Sequence, residues 1–205
     1  MSSPGGIVYV LDDEPEVVKA LTRLLRIRRF DVRGFTSVRA FLDACRPKSN
    51  ACLVLDVAMP ELDGLELQRH LTHQGILLPI IFLSGHGDIP TSVRAIKAGA
   101  TDFLTKPVDA AVLVGAVRTA LQIAGARSRE AAETEALKAR LASLTPRQRE
   151  VMEHIVAGQL NKQVAFDLGT GEQNIKLHRA HVMQKLAVTS VADLVRAAER
   201  LKTNR

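Results

Sequence analysis

Five side chains suited to one reaction stand just after four short apolar runs. Asp12 and Asp13 follow Ile7 to Leu11, Asp56 follows Cys52 to Leu55, Ser84 follows Ile80 to Leu83, and Lys106 follows Asp102 to Thr105. Three gathered carboxylates repel one another unless a cation neutralises them. Hard oxygen donors in a small open site suit Mg2+, which keeps several waters and takes a phosphate oxygen. With that charge balanced, one Asp56 oxygen can attack phosphorus to give an aspartyl phosphate. Lys106 brings a point positive charge and Ser84 Oγ a hydrogen bond to the phosphoryl oxygens. The reaction then needs positioning and electrostatics more than acid-base chemistry. Taken singly, an acidic pair caps a helix, a serine makes a turn and a lysine is solvated. Their joint placement is what carries weight.

That placement depends on the elements between them. Cys52 to Leu55 (CLVL) is a short apolar run ending on Asp56, as expected of a strand buried on both faces of a parallel sheet. Pro60 and Asp63-Gly64 follow it as turn signals. Ile7–Leu11 is a first strand, Phe30–Phe35 a second, Ile80–Leu83 a fourth and Asp102–Thr105 a fifth. Helices are expected between them: Pro15 to about Arg28, Ser37 to about Ala44, Gly64 to about Gln74, and Pro90 to Ala98 with Gly99 closing it. A last one is expected from Asp109 to about Ala124. Five alternations of strand and helix predict a doubly wound, flavodoxin-like parallel sheet, whose ligands bind at the carboxyl ends of its strands.

The remaining residues read differently. Gly125 is expected to break the last helix, and 126–143 (ARSREAAETEALKARLAS) reads as a helical, semi-rigid linker. Its brief leucine stripe leaves open a short coiled coil with a partner's linker. Thr145, Pro146 and Gln148 have the spacing of a capping box with proline in the first turn. Further helices are expected to Ala157, over Asn161–Leu168, over Glu172–Leu186, and from Ser190 to about Arg200. Two helices joined by the turn Gly169–Gly171 read as helix-turn-helix, the second entering the DNA major groove. Of the net charge of +6, +4 lies in residues 144–205. That excess favours a nucleic-acid surface there.

Composition excludes other classes. No apolar run approaches the ~20 residues of a membrane span, and MSSPGG lacks the regions of a signal peptide. Cys45 and Cys52 lie in or beside apolar elements without CxxC spacing, so both read as packing thiols of a reduced, cytoplasmic protein.

The motifs LDDEP, LDVAMPELDG, SGHGD and DFLTKP, in that order, resemble the receiver domain of two-component response regulators. LTPRQREVMEHIVAGQLNKQVAFDLG and NIKLHRAHVMQKL resemble the LuxR-type four-helix DNA-binding domain. Together they resemble a FixJ/NarL-type regulator, with a receiver at 1–125, a linker at 126–143 and an all-α output domain at 144–205. The resemblance implies a histidine kinase as phosphodonor and Asp56 as acceptor. It implies Mg2+ held by Asp13, Asp56 and the Ala58 carbonyl, with Asp12 acting through water. Lys106-Pro107 resembles a cis-prolyl position. Phe103 matches the aromatic switch residue that turns inward when Ser84 engages the phosphoryl group, or it is ordinary strand packing. Ala58 and His86 flank the path of the hydrolytic water, His86 reading better as a loop residue than as a base. In the output domain, Lys176, Leu177 and Ala180 are expected at base edges, and Asn174, Arg179 and Lys185 nearer phosphates. Gly171 and Asn174 depart from the usual Ser and Thr.

The expected function is a DNA-binding regulator that is phosphorylated at Asp56, dimerises through a face within 89–124, and acts with RNA polymerase on promoter DNA, more readily as activator than repressor. No reaction is expected beyond its own phosphorylation and dephosphorylation. A metal-dependent phosphatase with an aspartyl nucleophile is the rival. It wants an acid two residues after Asp56, where this chain has Ala58. A third reading makes the receiver a phosphate-independent dimerisation module, which the filled phosphorylation positions do not favour.

Overall fold

A computed structural model of the chain describes residues 6–45, 50–60, 62–85 and 89–203. The first elements are β1 (Ile7–Leu11), α1 (Pro15–Ile27), β2 (Asp31–Phe35), α2 (Val38–Ala44), β3 (Ala51–Asp56) and α3 (Gly64–His73). Then come β4 (Ile80–Ser84), α4 (Ile89–Lys97), β5 (Asp102–Thr105) and α5 (Ala110–Ala142). Four helices complete the described chain: α6 (Pro146–Val156), α7 (Asn161–Asp167), α8 (Glu172–Leu186) and α9 (Val191–Thr203). The chain divides into two compact units, Met1–Arg129 and Glu130–Arg205. No helix among the described residues is long and apolar enough to cross a membrane.

The strands of the first unit form one sheet in the order β2-β1-β3-β4-β5, every pairing parallel. This is the flavodoxin-like arrangement that the sequence predicts. Side chains alternate across it with the period of two that a strand imposes. Val8, Val10, Cys52 and Val54 join one core with Leu25, Leu113 and Val117 of α1 and α5. Tyr9, Leu11, Leu53 and Leu55 join the other, with Phe41, Leu67 and Ala95 of α2, α3 and α4. Covered on both faces, all six residues of β3 are buried, Asp56 included. Cys45 and Cys52 are packing groups of these cores, and burial pushes the Cys52 thiol up to about 12. The sheet order reverses between β1 and β3. The crevice at their carboxyl ends is therefore where such a fold admits a ligand.

The expected break at Gly125 does not occur: α5 runs unbroken from Ala110 to Ala142. One glycine costs about 1 kcal/mol in a helix interior, and the Ala, Glu, Arg and Leu residues around it are strong enough helix formers to carry the helix through. The later turns of α5 belong to the second unit. Leu141 packs against its core beside Leu144, and Arg200 of α9 pairs with Glu133 at 3.2 Å.

The core of the second unit gathers Leu144, Val151, Ile155, Val164, Ile175, Val182, Leu186 and Leu194. The capping box forms as its spacing predicts: Gln148 N–H donates to Thr145 Oγ1 (3.3 Å) and Thr145 N–H to Gln148 Oε1 (3.1 Å). Thr145→Ala is therefore expected to lower the unfolding free energy of this unit by about 1 kcal/mol, read by urea denaturation. At α8 the cap is absent, because Gly171 has no side chain to offer.

Candidate functional site

Four of the five strands of the first unit, β1, β3, β4 and β5, end on or just before a polar residue, and because all run parallel those residues reach the same sheet edge. Asp12 and Asp56, following β1 and ending β3, are almost wholly buried, at 1% and 4% exposure. Lys106, one residue past β5, reaches between them. Its Nζ lies 2.6 Å from Asp12 Oδ2 and 2.7 Å from Asp56 Oδ1. The other Asp56 oxygen, Oδ2, accepts from the Ala58 backbone N–H at 2.8 Å. Asp12 Oδ1 accepts from Glu14 N–H at 3.0 Å, at the start of α1. Every oxygen of the two buried carboxylates therefore has a donor. Sequence reasoning placed Lys106 on the incoming substrate and did not anticipate that it bridges the two acids, nor that Ala58 contributes its N–H.

Burial pushes the Asp56 carboxyl above its ordinary range, against the hydrogen bond and charge of Lys106 that pull it down. For Lys106, burial works against the charged form. Its hydrogen bonds to Asp12 and Asp56 outweigh that and hold the ammonium above its usual value. A carboxylate kept in a dry site beside one fixed cation is poorly solvated, and so is better disposed toward an electrophile than one in water.

Asp13 is exposed and lines a small crevice with Met59 and Pro60 of the loop after β3. The expected crowd of three carboxylates is not formed. Among the described residues no three His, Cys, Asp or Glu side chains stand at metal-binding spacing, while Asp12 and Asp56 share Lys106. The donor chemistry nonetheless suits a hard cation: two buried carboxylates at one sheet edge, with the carboxylate of Asp13 next to Asp12 in the chain and the loop carbonyls after β3.

Ser84 is buried at the end of β4, and its carbonyl accepts from Lys106 N–H at 2.8 Å, which ties the β4 and β5 ends together. The Lys106-Pro107 peptide bond is cis. Phe103 is partly buried in β5, its ring 6.2 Å from that of Phe82 and tilted by 40°. His86 lies outside the described residues.

In the second unit, α7 and α8 are joined by the expected glycine turn, Gly169 adopting a φ of 61°. Ile175, Val182 and Leu186 face the core, and Lys176, Leu177 and Ala180 lie on the exposed side. The three residues expected near phosphates are each held by the protein. Asn174 Nδ2 donates to Thr170 Oγ1 (3.2 Å) and an Arg179 guanidinium N–H to Asn161 Oδ1 (3.2 Å). Lys185 Nζ donates to the Ser143 carbonyl (2.8 Å) and to Gln148 Oε1 (2.9 Å).

A family model described as "Response regulator receiver domain" matches residues 8–118, and one described as "Bacterial regulatory proteins, luxR family" matches residues 142–198. The response regulator protein TmoT of Ectopseudomonas mendocina is 46% identical over 202 residues, which cover 98% of this chain and 92% of that one. Among solved structures, the response regulator StyR superposes with a TM-score of 0.85 at 41% identity, over 95% of this chain and 98% of that one. Full-length FixJ from B. japonicum gives a TM-score of 0.58 at 39% identity, over 98% and 99% of the two chains.

Proposed function

We propose, since the chain belongs to the response regulators of two-component systems that carry a luxR-type DNA-binding domain, that Asp56 takes a phosphoryl group from a sensor histidine kinase and that this makes the chain a dimeric activator of transcription. The observation that carries the proposal is the Asp12–Lys106–Asp56 cluster at the carboxyl edge of β1, β3 and β5, with both carboxylates buried. One Asp56 oxygen attacks the phosphorus of a phosphohistidine whose other ring nitrogen carries a proton, the P–N bond breaks, and neutral imidazole leaves with the bonding pair. Lys106 leaves its carboxylates to follow the charge on the phosphoryl oxygens. Ser84, at the end of the neighbouring strand, supplies a hydroxyl to another, and Phe103 of β5, two residues before the Thr105 that pairs with Ser84, turns inward to fill the space the serine leaves. Asp13, Asp56 and the Ala58 carbonyl would hold Mg2+, with Asp12 through water, and the ion when bound supplies charge neutralisation for the transfer. Asp56 is regenerated by hydrolysis. The chain is a regulator rather than a metabolic enzyme.

The dimer face proposed within 89–124 is supported by an apolar stripe on α4. Ile89, Val93 and Ile96 recur at helical spacing and are exposed, as is Val112 on α5. Paired output units would set two α8 helices on a two-fold DNA site and engage RNA polymerase there. The cytoplasm, where chromosomal promoters lie, is the proposed place of action. In this organisation the receiver (1–125) passes into the linker (126–143) inside one helix, and the output domain follows at 144–205.

The test is a binding titration against a duplex that the chain enriches from a random library, at fixed salt because the phosphate-backbone attraction varies steeply with it. With acetyl phosphate and Mg2+, wild type is expected to bind at least about tenfold tighter, a coupling of ordinary size. Asp56→Asn should not respond. Equal binding by both proteins in all conditions overturns the proposal.

A further inference from the structure

The exposed side of α8 holds more than the three residues that the sequence singles out. Relative to the buried Ile175, Val182 and Leu186, the opposite stripe runs Gln173, Leu177, Ala180 and Gln184, at spacings of four, three and four residues. All four are exposed. Gln173 is the second residue of the helix, on the turn that a helix-turn-helix presents first to base edges.

Its neighbours are already engaged. Glu172 Oε1 lies 3.3 Å from Lys176 Nζ, Asn174 is bonded to Thr170, and Arg179 to Asn161. The amide of Gln173 carries no such bond among the described residues, so it meets a partner without first breaking one. A glutamine amide presents one donor and one acceptor in the geometry of adenine N6 and N7, and the adjacent Leu177 offers an apolar surface for a thymine methyl.

Resting on the reading of α8 as the recognition helix, we infer that Gln173 reads a base edge, an adenine, in the major groove, and with Leu177 sets the sequence preference at that end of each half-site. Asn174, by contrast, acts through the α7–α8 turn that it braces. The division is physical: a side chain bonded within the protein positions the helix, and an unbonded one on the leading turn is available to discriminate.

The experiment is selection from a random duplex library by the full-length chain, treated with acetyl phosphate and Mg2+, in wild type and Gln173→Ala. The substitution is on an exposed helix surface and puts a better helix former there, and an unchanged melting curve confirms the fold. The expected result is that one position in each half-site loses its adenine preference while the others keep theirs. Affinity for the wild-type consensus falls about tenfold or more, the size of one bidentate pair, with the salt slope unchanged because no phosphate contact is lost. An identical consensus from both proteins overturns the inference. So does a uniform affinity loss with a shallower salt slope, which marks a phosphate contact. If wild type enriches no consensus at all, the reading of α8 falls and takes the inference with it, an outcome distinct from the other two.

Discussion

Lys106→Met lowers the unfolding free energy of the first unit by about 3–5 kcal/mol at neutral pH in magnesium-free buffer, the size expected when one partner of a buried ionic cluster is removed. Methionine keeps most of the side-chain volume, so the loss is electrostatic. Lys106 Nζ is the cation that touches both Asp12 Oδ2 and Asp56 Oδ1. Without it, two carboxylates at 1% and 4% exposure face each other in a dry site. The effect depends on pH with a definite sign. Burial already raises the Asp56 carboxyl in the folded state, and loss of the ammonium raises it further. An acid raised on folding contributes stability below its unfolded value, about 3.9 for aspartate, and that stability is lost as pH rises through the folded value. The deficit of Lys106→Met should therefore be small at pH 4 and full at pH 7.5. Urea denaturation at the two pH values measures it. A deficit independent of pH would mean that the lysine stem, and not its charge, was holding the site. Adding Asp56→Asn to Lys106→Met should recover much of the loss, since one carboxylate then stands alone beside the Glu14 N–H.

The polar residues at the strand ends were legible in the sequence because each interrupts an apolar run just where a buried strand must stop. Their convergence on one edge was legible too, since alternating strands and helices force a parallel sheet. Which atoms meet was not. The bridging of Asp12 and Asp56 by Lys106 joins residues 94 apart in the chain, and no local pattern encodes which carboxylate a flexible lysine reaches. The exposure of Asp13, beside the buried Asp12, is likewise a property of the loop. In the second unit the helix boundaries followed from caps and glycines, whereas the tethering of Lys185 to Ser143 and Gln148 depends on how α8 packs beside the start of α6. The failure at Gly125 has a different origin. A glycine stops a helix only where the chain turns away or a left-handed residue is needed, as at Gly99 with φ of 93°. Inside a run of strong helix formers its cost is simply absorbed.

Gly64 was legible as a turn signal, and the structure gives it a second role with a larger consequence. It opens α3 after the Asp63 cap, and its N–H donates to the Val57 carbonyl at 3.0 Å. A Cβ built there would stand 2.6 Å from the Asp56 carbonyl oxygen, 3.2 Å from Val57 Cα and 3.1 Å from Phe82 Cε1. Two of those neighbours are backbone atoms, so no rotamer change relieves the contact; either α3 retreats or the end of β3 moves. Gly64→Ala is therefore expected to cost about 1–3 kcal/mol, the range for overpacking a close-packed core. The displaced part is the strand end that carries the proposed phosphoacceptor, and a misplacement near 1 Å costs on the order of 10²-fold in a reaction that relies on positioning. Two measurements separate these effects. Urea denaturation reads the strain, and the rate of acetyl phosphate-driven phosphorylation, taken well below the transition, reads the displacement. Gly75→Ala provides the control: its Cβ would meet nothing within 4 Å, although its φ of 72° strains any side chain. It should lose stability without losing rate. If Gly64→Ala behaves the same way, α3 has given way and β3 has not, and the close approach of α3 to Asp56 is a matter of packing alone.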